Sequence, residues 1–89
     1  MKAVISVIGN DRVGILAKVS AACAECNTNI LDVTQSVLQD KFVMVMLVDV
    51  SATTVDFKAL TEKMQKVGEE IGMVIHVMHE DIFNAMHRI

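Results

Sequence analysis

Apolar and polar residues follow two different periods along this chain, and each change of period predicts a change of secondary structure. Four segments have the β-branched or alternating apolar residues typical of strands: 2–8, 29–38, 41–50 and 73–79. Two segments repeat apolar residues every three or four positions, as amphipathic helices do: 13–26 and 54–71. A short helix over 80–88 follows the last strand. The predicted order is therefore β-α-β-β-α-β with a helical tail.

This order predicts an α+β fold, the ferredoxin-like βαββαβ sandwich. Right-handed crossovers in the two βαβ halves place both helices on one face of a four-stranded antiparallel sheet. The strand order is 4-1-3-2, with the first and third strands at the centre. The composition of the third strand supports this central position, because Phe42 to Val48 is apolar on both faces, as in strands inside a sheet. We expect one domain over residues 1–79 and a helical tail over 80–89.

Residues with known capping preferences mark the ends of the two main helices. Asn10 or Asp11 can cap the first helix by accepting one of its free backbone N–H bonds. At the second helix, Thr53 and Asp56 have the spacing of a capping box. Gly72 follows that helix and predicts its end, because glycine readily adopts the left-handed conformation of a helix C-cap.

Composition limits the function of such a domain. The chain has 89 residues, of which 53% are apolar, a net charge of −3, no Pro, and three aromatic residues. It lacks the basic patch and stacking platform of nucleic-acid-binding proteins. It also lacks an apolar run of about 18 residues that could span a membrane, and a secretory signal. We therefore expect a cytoplasmic protein without nucleic-acid or membrane partners. The apolar surplus predicts a homo-oligomer.

Two cysteines invite a redox or metal interpretation. Cys23 and Cys26 lie on the apolar stripe near the C-terminal end of the first predicted helix, whereas reactive pairs lie at helix N-termini. We interpret them as small buried residues. The chain also contains no Ser–His–Asp arrangement, paired-carboxylate motif or phosphate-binding loop. We therefore predict no catalytic residue and no cofactor.

The histidines do not form a metal site by spacing. His76 and His79 are three residues apart on a strand, so their side chains point to opposite faces of the sheet. His87 could join one of them with Glu80 or Asp81, but no spacing fixes that combination. We therefore predict no bound metal.

The connection from the first strand to the first helix, residues 8–16, has the groups best suited to recognition. It contains Asn10, Asp11 and Arg12 between two glycines, Gly9 and Gly14. Backbone N–H groups at a helix start, together with the helix dipole, favour an anion. A glycine in the first turn lets a ligand approach the backbone closely. An ordinary capped turn is the alternative interpretation.

The motif Asp11-Arg12-Val13-Gly14-Ile15-Leu16 after a strand, with Asn29-Ile30 opening the second strand, resembles the signature of ACT domains. These are βαββαβ regulatory modules that commonly bind amino acids. The resemblance covers residues 1–79 and is closest to small stand-alone ACT proteins of bacteria and archaea. It implies subunits paired side by side, with a small-molecule ligand at their interface. We expect such a module to pass its signal to a regulated protein partner. The ligand-binding residues that it implies are Asn10, Asp11, Gly14, Ile15, Asn29 and Ile30.

Chemistry supports these roles, and two alternatives stay open. N–H groups of Gly14 and Ile15 suit the carboxylate of an amino acid, and Asp11 suits its ammonium. Many amino-acid-binding members have Pro where this chain has Val13, so a ligand-free assembly module is one alternative. The other is an acylphosphatase-like enzyme, although its loop is longer and Arg12 alone does not replace it. We expect a non-catalytic, amino-acid-binding homodimer or higher oligomer.

Overall fold

The computed structural model describes residues 1–86, in which the chain forms four strands and three helices. They are, in chain order, β1 (Lys2–Asn10), α1 (Ile15–Glu25), β2 (Asn29–Leu38), β3 (Lys41–Asp49), α2 (Phe57–Ile71), β4 (Met73–His79) and α3 (Glu80–Met86). The strands form one antiparallel sheet with the order β2-β3-β1-β4. The predicted ferredoxin-like fold and strand order are confirmed, with β1 and β3 at the centre.

The core lies between one face of the sheet and the helices α1 and α2. Alternate residues of the two central strands point into it, because successive side chains of a strand point to opposite faces. Val19 on α1 and Leu60 and Met64 on α2 pack there with no exposed surface. The fully buried strand residues are Ala3, Ile5, Val7, Met44, Met46 and Val48.

The opposite face of the sheet is covered only in part. Helix α3 contacts β1 and β4, and its Phe83 lines a small cavity together with Val4 and Leu47. Val4 is buried beneath it. Beyond α3 the same face is open, since Ile8 is 46% and Val74 60% exposed. Apolar surface therefore remains on this side of the chain.

Helix α1 begins differently from the prediction. It starts at Ile15, and its N-cap is Gly14 in the left-handed conformation (φ 89°). No side chain of residues 1–86 caps it. The prediction that Asn10 or Asp11 caps this helix is wrong. Three residues separate Asp11 from α1, and Asn10 still belongs to β1, where its Oδ1 accepts a hydrogen bond from Lys41 Nζ at 2.8 Å.

Helix α2 begins with a side-chain cap, although not the predicted box. Asp56 is itself the N-cap, and its Oδ1 accepts the N–H bond of Ala59 at 2.7 Å. Thr53 lies outside the cap and forms a hydroxyl–hydroxyl hydrogen bond with Thr28 at 2.9 Å. Gly72, in the left-handed conformation (φ 72°), ends α2 as predicted.

Candidate functional site

The β1–α1 loop, residues 11–14, is exposed along its whole length. The backbone N–H of Asp11 donates to the carbonyl of Asp40 at 2.9 Å, which ties the loop to the β2–β3 turn. Gly14 then turns the chain into α1 with a positive φ that side-chain-bearing residues rarely adopt. A Cβ at Gly14 would meet no atom of the described residues within 4 Å. Open space therefore lies beside the start of α1.

The first turn of α1 leaves backbone donors next to this space. Within residues 1–86, neither a side chain nor a backbone carbonyl accepts the N–H bonds of Gly14 and Ile15. The side chain of Ile15 is buried in the core, so this residue offers only its backbone. Free N–H groups at the positive end of a helix dipole favour a carboxylate or another anion.

Lys41 is a cation near the loop that sequence reasoning missed. It pairs with Asn10 across β1 and β3, and its Nζ donates a hydrogen bond to Asn10 Oδ1. The side chain of Asn10 is thus held by the protein itself, unlike the free N–H groups of α1. The polar side chains of Asn10 and Lys41 could have indicated this contact only if the β1–β3 register were known, and that register depends on residues far apart in sequence.

Asn29 and Ile30 lie at the opposite end of the domain from the loop. Asn29 pairs with Asp49 on β3, and Asp49 pairs with Lys2 at the start of β1. The loop instead follows Asn10, at the end of the same nine-residue strand. At about 3.3 Å per residue, roughly 26 Å separates the two ends. A single copy of the chain therefore does not bring the six predicted ligand-binding residues together.

Strand β2, which begins with Asn29, is an edge strand with one free side. Natural proteins usually protect such an edge with charges, Pro or bulges, because its backbone can pair with another chain. Here a bulge between Ile30 and Asp32 protects only the start of the edge, because the pairing of β2 with β3 is regular from Asp32 to Leu38. The exposed apolar residues on β2 and on the neighbouring helix α1 are Leu16, Leu31, Val37 and Leu38. This edge thus offers both backbone groups and apolar side chains to a second molecule.

The cysteines are part of the core, as predicted. Cys23 and Cys26 are free and buried. Burial, with a smaller contribution from Cys26, raises the pKa of Cys23 to about 11. The group is therefore a neutral thiol at neutral pH, and a neutral thiol is a poor nucleophile and a poor metal ligand.

The histidines occupy opposite faces of the sheet, as predicted. His76 is exposed and pairs with Ser6, whereas the ring of His79 stacks on Phe57 with 4.1 Å between the ring centroids. The third histidine, His87, lies outside the described residues. Among residues 1–86, no group of three His, Cys, Asp or Glu side chains has the arrangement needed to hold a metal ion. In the same range, no helix is long and apolar enough to cross a membrane.

The chain is similar to known proteins over nearly its whole length. Residues 2–78 match the sequence profile of the ACT domain. A UPF0237 protein of Methanocaldococcus jannaschii is 51% identical over 88 residues, which cover 99% of this chain and 98% of that protein. An ACT domain protein from Streptococcus pneumoniae is 38% identical, with a TM-score of 0.82 over 98% of both chains. The regulatory subunit of aspartate kinase from Thermus thermophilus is 28% identical, with a TM-score of 0.66 over 85% of this chain and 49% of that one.

Proposed function

Because the chain belongs to the ACT domain family, a family of regulatory modules, we propose that it is a non-catalytic regulatory domain that binds a free amino acid at the interface of a homodimer. The similarity to a regulatory subunit of aspartate kinase supports the regulatory role. The observation that carries the proposal is the split arrangement of the candidate residues, with the loop at one end of the domain, Asn29 at the other, and the free β2 edge running between them.

Antiparallel pairing of two β2 edges would unite the two groups. A two-fold axis sets the start of β2 in one copy beside the end of β2 in the other. The end of β2, Leu38, leads into the turn at Asp40, whose carbonyl holds the N–H of Asp11 in the loop. Asn29 and Ile30 of one copy would thus lie near the loop of the other. The dimer would have two equivalent sites, each built from both copies.

Each composite site would offer the two kinds of group that an amino acid requires. The free N–H groups of Gly14 and Ile15 suit its carboxylate. The exposed carboxylate of Asp11 and the amide oxygen of Asn29 suit its ammonium. The site includes no nucleophile paired with a base, which is why we propose binding rather than catalysis.

The proposed setting is the cytoplasm, where the two free cysteines would stay reduced. Passing a signal to a regulated protein requires the amino acid to favour one arrangement of the subunits over another. A ligand with equal affinity for both arrangements would shift nothing.

Thermal-shift measurements with each of the twenty amino acids test the proposal. An amino acid at about 100 times its Kd adds roughly 2.7 kcal/mol of apparent stability. We expect Gly14→Val and Asn29→Ala each to abolish this shift, and Glu62→Ala, an exposed change on α2, to retain it.

Mixing the two inactive variants tests whether each site is shared between two copies. A heterodimer of Gly14→Val and Asn29→Ala contains one site with both defects and one site with neither. Because random pairing makes about half of the dimers in an equal mixture heterodimers, the mixture should recover binding at about one quarter of the normal stoichiometry. Titration calorimetry measures that ratio. Failure to recover binding contradicts the shared site. If no amino acid shifts the transition while sedimentation shows a dimer, the ligand-free assembly module is correct.

A further inference from the structure

Arg12 joins the β1–α1 loop to the far end of the second helix. Its Nη1 donates to the carbonyl oxygen of Ile71 at 2.9 Å, across 59 residues of sequence. Ile71 is the last residue of α2, and its carbonyl is among the last four of a helix, which have no partner within it. Within residues 1–86, this is the one side-chain hydrogen bond made by loop residues 11–14.

The guanidinium also supplies a charge that α2 lacks at this end. The last turn of α2 contains no basic residue, and it includes Glu69 and Glu70. Carboxylates are unfavourable at the negative end of a helix dipole, whereas a cation is favourable there. The bond from Arg12 is charge-assisted, a class of hydrogen bond stronger than the neutral kind.

The backbone around this bond is too closely packed to move independently. A Cβ at Gly9 would lie 2.7 Å from Met73 Sδ and 2.9 Å from the carbonyl oxygen of Gly72. The end of β1, the C-cap of α2 and the start of β4 are therefore in direct contact. A Cβ at Gly72 would lie 3.5 Å from Arg12 Nη1. Arg12 thus joins an exposed loop to a closely packed junction.

We propose that Arg12 is a positioning residue. Its bond to Ile71 holds the loop in the conformation that leaves the N–H groups of Gly14 and Ile15 free for a ligand. The same bond joins the loop to the C-terminal end of α2. The effect on ligand affinity rests on the proposed function, whereas the restraint on the loop exists without any ligand.

Amide hydrogen exchange, measured by NMR without a ligand, tests the restraint. The N–H bonds of Asp11 and Lys18 report on the two ends of the loop, since they donate to Asp40 and Gly14 at 2.9 and 3.0 Å. Arg12→Met keeps the aliphatic stem and removes the donors and the charge. We expect both amides to exchange about tenfold faster in this variant, as loss of a charge-assisted bond predicts. Arg12→Lys, which retains a donor and a charge, should recover part of the protection.

Thr28→Val is the matched control. It removes a hydrogen bond of 2.9 Å, to Thr53, at the opposite end of the domain. If both variants lose the same free energy of unfolding and the loop is not affected locally, exchange of the Asp11 and Lys18 amides would rise equally in the two. The proposal predicts a local increase in Arg12→Met that Thr28→Val does not show. Equal increases in the two variants, or unchanged exchange in Arg12→Met, would overturn it.

Glycine, the simplest molecule with both an ammonium and a carboxylate, is the probe for the effect on binding. Following the Gly14 amide by NMR during the titration, we expect affinity to fall about tenfold in Arg12→Met and to recover partly in Arg12→Lys. Equal affinity in Arg12→Met and the natural chain overturns the positioning role. If the natural chain binds neither glycine nor any other amino acid while Arg12→Met still loosens the loop, the restraint by Arg12 holds and the proposed function fails.

Discussion

The two ends of this domain are built on different principles. At the Asn29 end, the protein's own atoms complete the connections: Thr28 bonds to Thr53, and Asn27 Nδ2 donates to the carbonyl of Ala52 at 2.9 Å. At the loop end, the backbone N–H of Asp11 and the side chain of Arg12 hold a loop whose residues are exposed throughout. Polar groups that bond to each other within the protein stabilise the fold. Polar groups that have no partner in the protein can bond to another molecule.

The two helix starts show the same difference. Helix α2 begins at the Asn29 end with Asp56 accepting an N–H bond of the first turn. Helix α1 begins at the loop end with Gly14, which has no side chain to do so. Without a cap, the N–H groups of the first turn lack an acceptor and the free protein is less stable. A bound carboxylate can supply that acceptor. We therefore expect changes to the groups that the protein satisfies itself, such as Thr28 and Asp56, to alter stability. Changes to groups that it leaves free on the surface of the loop end should alter binding.

The largest expected effect concerns the close packing beneath the loop end. A Cβ at Gly68 would lie 2.6 Å from the carbonyl oxygen of Met73 and 3.1 Å from Ile75 Cγ1. Backbone atoms cannot yield cheaply, so Gly68→Ala should lower the free energy of unfolding by about 2 kcal/mol, despite the higher helix propensity of Ala. Urea denaturation measures this loss, with Gln65→Ala on the exposed side of α2 as the control. Equal stability of the two variants would mean that α2 can move away from β4.

A smaller expected effect is a loss of stability at high pH that arises from the buried thiol of Cys23. Burial raises the pKa of Cys23 from 9.0 to about 11, so the unfolded chain loses this proton at lower pH than the folded chain. The stability that Cys23 contributes is complete below its unfolded pKa and is lost as pH rises through its folded pKa. Between about pH 9 and about pH 11, we expect a loss of about 1–2 kcal/mol that Cys23→Ala does not show. Parallel pH profiles of the two proteins would mean that solvent reaches the thiol.

The smallest expected effect compares the helix starts directly. Asp56→Ala removes the cap of α2 and should lower the free energy of unfolding by about 1 kcal/mol. Asp11→Ala, measured without ligand, should change it by less than about 0.5 kcal/mol, because the side chain of Asp11 caps nothing. Chemical denaturation of both variants measures the difference. An equal loss in the two would show that the start of α1 is capped in solution and not open to a ligand.

Local pattern was sufficient for the elements and their order. Strands β2 and β4 begin and end where alternation and flanking turn residues predicted, and Gly72 ends α2. These features depend on neighbours within a few residues, because side-chain period and backbone preference are local properties. The motif in residues 11–16 likewise indicated the loop and the family before any contact was known.

Packing between residues far apart in sequence determined the start of α1, the bond of Arg12 and the position of Asn29 relative to the loop. The cap expected from Asn10 or Asp11 is absent, because the chain travels three more residues before α1 begins. The bond from Arg12 to Ile71 spans 59 residues. The distance between Asn29 and the loop follows from the register of the strands. This register forms only when the crossover helices pack on the sheet, because the paired residues are far apart in sequence. The resemblance to the ACT motif therefore indicated the candidate residues, while packing distributed them between two ends of the domain.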